Sequence, residues 1–196
     1  MKGGGYSRPF QGLTVCGDSF LLVEEEDFVV AAVVDGLGHG YDSSVAAVKA
    51  VEVIQRSLDQ PVGEIVLRCH RELKETRGAA IGVLKVQRDG RGEFCGVGNV
   101  EVQALAGTSP SVFCTAGILG HNLRTHRVLP VTMKAGDIYC LFSDGVSARG
   151  DLKTCLPGDP TSVARRIVER WGRAHDDATA LILGHAAEHL LWDADS

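Results

Sequence analysis

The sequence predicts an α+β fold of antiparallel sheets covered by helices, and three observations predict it. Strand-like apolar runs crowd the chain before residue 36 and again after residue 79. Between them lie two successive stretches whose apolar residues recur at helical spacing. The resulting order is two strands, two helices, a series of strands, one helix and a last strand. It never alternates as βαβ units do, which argues against a parallel doubly wound sheet.

SFLLVEEEDFVVAAVV reads as a hairpin, two apolar strands joined by the acidic turn Glu24 to Asp27. From Ser43 the period changes. Ala47, Val51, Ile54 and Leu58 share one helical face, with Asp42 or Ser43 available as N-cap. Pro61 interrupts, and Val62, Ile65, Val66, Cys69 and Leu73 then mark a second amphipathic helix. Strand patterns return between Ala79 and Leu141, in AAIGVLKV, GEFCGVGN, VEVQALA, SVFCTA and DIYCLF. Gly, Pro, Asn and Asp turns separate them, Asp89-Gly90 being the sharpest. A third helix is expected from Thr161 to Trp171, where Val163, Ala164, Ile167, Val168 and Trp171 share a face. ATALIL is the last strand, followed by a short polar tail.

At 196 residues the chain is expected to form one domain, with its core at about 12–184. A chain of this size buries about 70% of its unfolded surface, so a core needs no staples. No apolar run approaches the ~20 residues of a membrane span, and MKGGGYSRPFQG lacks the apolar region of a secretory signal. A net charge of −5 without any basic tract argues against nucleic-acid binding. The six cysteines form no C-x-x-C pair, and several sit in apolar runs such as IYCLF. They read as small buried hydrophobes kept reduced, which places the protein in the cytoplasm, away from membranes.

The chemistry lies in the aspartates. FVVAAVV runs without a polar residue and stops at Asp35-Gly36; IYCLFS stops at Asp144-Gly145; Asp176-Asp177 stands just before ATALIL; Asp18 opens the first hairpin. One Asp-Gly pair is simply a turn signal. Several acids set where apolar strands leave the core are a poor arrangement for charge unless something positive waits there. Carboxylates with backbone carbonyls and water are the ligand set of hard divalent cations, magnesium or manganese. Glycine lets backbone approach an ion or a phosphate closely, and Gly36 has a carbonyl to offer. The D-x-D-x-D-G spacing of an EF-hand is missing, and so is the dinucleotide fingerprint G-x-G-x-x-G.

VVDGLGHG, AGDIYCLFSDGV and HDDATALIL, in this order, resemble the metal-dependent protein serine/threonine phosphatases, the PPM family. DGLGHG resembles the bacterial sporulation and stress-response branch, most closely its short stand-alone RsbX type, the stressosome feedback phosphatase. The resemblance runs from CGDSF to ATALIL. It implies a four-layer αββα sandwich of two antiparallel β-sheets flanked by helices. It also implies two divalent metal ions, manganese or magnesium. Asp35 would bridge them, Gly36 would add a carbonyl, Asp144 and Asp176 would complete one ion, and Asp18 would hold the other; Asp177 is the alternative partner of its pair. Two ions roughly 3.5–4 Å apart activate a shared water for attack on phosphorus. The implied substrates are phosphorylated stressosome scaffold proteins with STAS domains, or a free anti-sigma-factor antagonist. The enzyme is expected as a monomer, and a catalytically silent binding module is the reading from another class.

Two departures stand out. Eukaryotic relatives place a histidine directly after the Asp-Gly pair, where Leu37 stands here. The phosphate-gripping arginine they carry before the first acid, around Thr14, is missing. His39 is the candidate replacement as general acid, since histidine titrates in the useful range; its competing role is packing at the start of the helix. Other signals carry less. HAAEH, His185 to His189, matches an inverzincin zinc motif but reads as a polar helix face. His121 and His126 read as solvated. Arg165, Arg166, Arg170 and Arg173 line the third helix as a solvated face or a docking strip for an acidic phosphoprotein.

Overall fold

The computed structural model describes residues 1–185. Two sheets lie face to face with helices on both outer sides, a four-layer αββα sandwich. In chain order the strands are β1 (Lys2–Arg8), β2 (Asp18–Glu24), β3 (Phe28–Gly36), β4 (Ala79–Gln87), β5 (Arg91–Val97), β6 (Glu101–Ala106), β7 (Cys114–Thr115), β8 (Val128–Thr132), β9 (Ile138–Phe142) and β10 (Ala178–Gly184). Helices α1 (Tyr41–Gln55) and α2 (Val62–Glu72) follow β3, and α3 (Pro160–Trp171) precedes β10. One sheet has the order β1-β10-β9-β6 and the other β2-β3-β4-β5-β7, with β8 pairing β5. All pairings are antiparallel except the short β5–β7 contact. Among the described residues no helix is long and apolar enough to cross a membrane.

β3 shows why its sequence is apolar without alternation. Successive side chains of a strand point to opposite faces, and both faces of β3 are covered. Val30, Ala32 and Val34 pack beneath α1 and α2. Val29, Ala31 and Val33 pack between the sheets against Tyr139, Leu141, Leu181 and Leu183. The far side of the second sheet buries Cys140, Phe142, Ala180 and Ile182 under Val163, Ile167 and Val168 of α3.

Several sequence expectations need correction. The ordered sheet begins at Lys2, ahead of the expected core. β1 pairs with β10 along its whole length, although no strand was expected there. Side chains there would collide with neighbours: a Cβ on Gly5 would lie 2.7 Å from the Phe20 ring, and one on Gly4 2.8 Å from the Thr161 nitrogen. SVFCTA yields only two strand residues, and β8 carries no clear alternation. Neither Asp42 nor Ser43 caps α1; Gly40 does, with φ +80°, and the Ser43 hydroxyl donates to its carbonyl at 2.8 Å. His185 Nδ1 donates to the Met133 carbonyl, 2.8 Å away, and the rest of HAAEH lies outside the described residues.

Candidate active site

Strand parity gathers the acids at one end of the sandwich. Asp35 continues the inward series Val29, Ala31, Val33, and Asp18 on β2 is its direct cross-strand partner. On the opposite sheet, Ser143 follows the inward residues Tyr139 and Leu141, and Thr179 precedes Leu181 and Leu183. The sheets are stitched there: the Ser143 hydroxyl donates to Asp18 Oδ2 at 2.6 Å and accepts from the Thr179 nitrogen at 3.0 Å. Asp144 lies one residue past Ser143, and Asp176 just before β10. Asn99, in the β5–β6 turn, donates to Asp144 Oδ2 at 2.6 Å.

The acids feel one another. Burial first, then the charges of Asp18, Asp144 and Asp176, push the Asp35 carboxyl up to about 9. Burial and the charges of Asp177 and Asp176 push Asp18 to about 7, against the opposing hydrogen bond from Ser143. Asp176 is raised too, by burial and then by Asp144. Among the described residues none of the four is in an ion pair. Asp137, a buried acid elsewhere, is different: the backbone nitrogens of Thr108 and Lys134 donate to it at 2.9 and 2.8 Å.

Asp176 and Asp177 divide their work. Asp177 is buried, and its Oδ1 accepts from the Phe10 nitrogen at 2.8 Å. Its Oδ2 has no hydrogen-bond partner among the described residues. Asp144 acts on Asp176 through its charge, while Asp18 feels Asp177 more than Asp176.

The glycines of the loop after Asp35 have packing and backbone reasons of their own. A Cβ on Gly36 would run into the Ser43 carbonyl and sit 2.8 Å from that of Gly17. Gly38 and Gly40 have φ +90° and +80°, the left-handed region that side chains resist. His39 is exposed, its ring 4.8 Å from that of Phe10. A cleft of about 410 Å³ starts at Asp144 and Asn99 and runs past Phe94 and Phe113.

No family model matches the chain. Among curated proteins, the phosphoserine phosphatase RsbX of Bacillus subtilis (strain 168) is 24% identical over 182 residues, 91% of this chain and 92% of that protein. A solved structure from a description of the bacterial stressosome, a modular system adapted to control secondary messenger signalling, is 31% identical. It has a TM-score of 0.85 and covers 92% of this chain and 97% of its own. The chain belongs to the PPM family of protein phosphatases, as an RsbX-like member. A magnesium complex of RsbX, 22% identical with a TM-score of 0.78 over 91% of this chain and 92% of that one, shares the fold.

A divalent cation fits this phosphatase. The available donors are hard carboxylate oxygens, their charges are mutually uncompensated, and one buried carboxylate oxygen beside them is orphaned. Among the described residues, no three His, Cys, Asp or Glu side chains already close on one point, so water would complete any coordination shell. Sequence reasoning missed Asn99 and Ser143, since an Asn in a turn and a Ser after a strand carry no signal of their partners. It also missed Arg77, which pairs with Asp42 at 2.9 Å beside Gly38. The α3 arginines are largely structural: Arg166 holds the Cys155 carbonyl at 2.7 Å and Arg165 lies over the Tyr6 ring.

Proposed function

We propose that this phosphatase dephosphorylates phosphoserine or phosphothreonine on STAS-domain proteins of a stressosome, as a feedback regulator of bacterial stress signalling. Two divalent cations, magnesium or manganese, would be held by Asp18, Asp35, Asp144 and Asp176 with the Gly36 carbonyl. The observation that carries the reading is the gathering of these carboxylates, from both sheets, at one end of the sandwich, where among the described residues none is in an ion pair and the charge of Arg173 only partly offsets Asp176. When bound, such cations supply Lewis acidity and acidify water.

The chain's own residues do the positioning. Asp35 sits centrally, opposite Asp18 and within the field of Asp144 and Asp176, the place suited to a bridging ligand. Ser143 fixes the Asp18 carboxylate and Asn99 that of Asp144, as outer hydrogen bonds orient metal ligands. His39, exposed with its ring 4.8 Å from that of Phe10, would give a proton to the departing serine oxygen. A catalytically silent module has less support, since every acid the chemistry needs is brought to the same end.

The test is phosphate release from a serine-phosphorylated STAS-domain protein with magnesium or manganese, with Asp35→Asn and Asp144→Asn as controls. Release that both substitutions abolish is expected. Absence of release with metal present would refute the enzymatic reading, and unchanged rates in both variants would refute the site.

A further inference from the structure

Helix α1 buries one face and leaves an apolar stripe on the other. Tyr41, Val45 and Val48 are 73%, 41% and 52% exposed. Spaced four and three residues apart, they share one side of the helix over about 10 Å of its length. Leu37, 48% exposed, lies on the loop that joins Asp35 to this helix. Leu13 and Val15, also exposed, extend the surface; the Leu13 side chain lies 3.7 Å from where a Cβ on Gly40 would stand. Contiguous exposed apolar surface of this kind marks an interaction site rather than ordinary exterior.

We propose that this stripe docks the phosphoprotein substrate itself, through apolar side chains beside its phosphorylated residue. The inference rests on the phosphatase reading and extends it to substrate recognition. Its position identifies the occupant. The stripe starts at Tyr41, and the start of α1 lies beside the acids: a Cβ on Gly17 would meet both the Ser43 hydroxyl and Asp177 Oδ2, so a folded protein presenting a phosphoserine to the acids would lie next to it. The Arg77 guanidinium near the loop is paired with Asp42 rather than open to a phosphate. Contacts remote from the phosphate then add to what bound cations supply, the means by which binding energy positions a reacting group. Apolar contacts on α1 do so without competing with the acids for cations.

The experiment compares wild type with Val45→Glu and Val48→Glu on two substrates, a serine-phosphorylated STAS-domain protein and a small aryl phosphate, both with manganese. Glutamate suits an exposed helix position better than valine does, so aryl phosphate turnover should persist and reports an intact fold. Turnover of the phosphoprotein should fall by about tenfold or more through KM, with a matching loss of binding to the Asp35→Asn protein carrying the same second substitution. Phosphoprotein KM and binding unchanged in both variants would overturn the proposal. A wild-type dimer that either substitution turns into a monomer would assign the stripe to self-association and overturn it as well. A wild type inert on both substrates would instead sink the phosphatase reading, and the docking surface with it.

Discussion

Replacing Asp35 by asparagine keeps the shape of the central acid and removes its charge, so it separates what the cluster costs from what it does. Burial and three neighbouring carboxylates move the Asp35 carboxyl from 3.8 to about 9. At pH 8, without metal, the folded chain therefore holds a proton that the unfolded chain has released. Holding it costs about 1.4 kcal/mol per pH unit above the unfolded value, at most roughly 6 kcal/mol at pH 8. Water at the open end of the sandwich screens the site, which brings the expected gain from Asp35→Asn to about 1–3 kcal/mol. For a chain of this length each kcal/mol is about 2–4 °C of melting temperature. The sign follows from the raised value: the wild-type contribution is fully present below pH ~4 and is lost as pH rises towards 9. Asp18, raised to about 7, acts in the same sense. Melting curves in chelator at pH 4, 6 and 8 should show Asp35→Asn matching wild type at pH 4 and exceeding it increasingly above. Manganese should stabilise wild type and not the variant, and aryl phosphate hydrolysis should vanish. A variant no more stable than wild type at pH 8, or equally stabilised at pH 4, would refute the electrostatic account.

Three further substitutions probe the supports. Asn99→Ala frees the Asp144 carboxylate and should lower kcat or metal affinity about 10- to 100-fold, read from manganese titrations of activity, with little change in melting temperature. Ser143→Ala strands both Asp18 and the Thr179 nitrogen in a buried place and should cost about 1–3 kcal/mol, seen in urea unfolding. Gly36→Ala drives a Cβ into the Ser43 carbonyl and should destabilise by about 2 kcal/mol or more; a variant melting like wild type would show that α1 can shift away at no cost.

The hairpin of β2 and β3, the two helices after it, α3 and β10 were legible because their hydrophobic periods are long and their faces unambiguous. β1 was not. Its glycine run carries no strand pattern, and the crowding by Phe20 and Thr161 from other elements explains it. β7 and β8 depend on neighbours for their pairing more than on their own pattern. The glycines after Asp35 were noticed for absence of side chain, but two of the demands on them were not legible: a left-handed backbone at Gly38 and Gly40 and the approach of α1 at Gly36.

The sequence by itself determined where charge leaves the core, since an unbroken apolar run ending in Asp-Gly places a carboxylate at a strand end whatever the strand pairs with. Tertiary structure alone decided how those ends meet. Ser143 reaches Asp18 across 125 positions of chain, Asn99 reaches Asp144 across 45, and the Phe10 nitrogen reaches Asp177 across 167. Hydrophobic patterning is local and survives in one dimension. Hydrogen bonds between side chains from different sheets exist only once both sheets have packed.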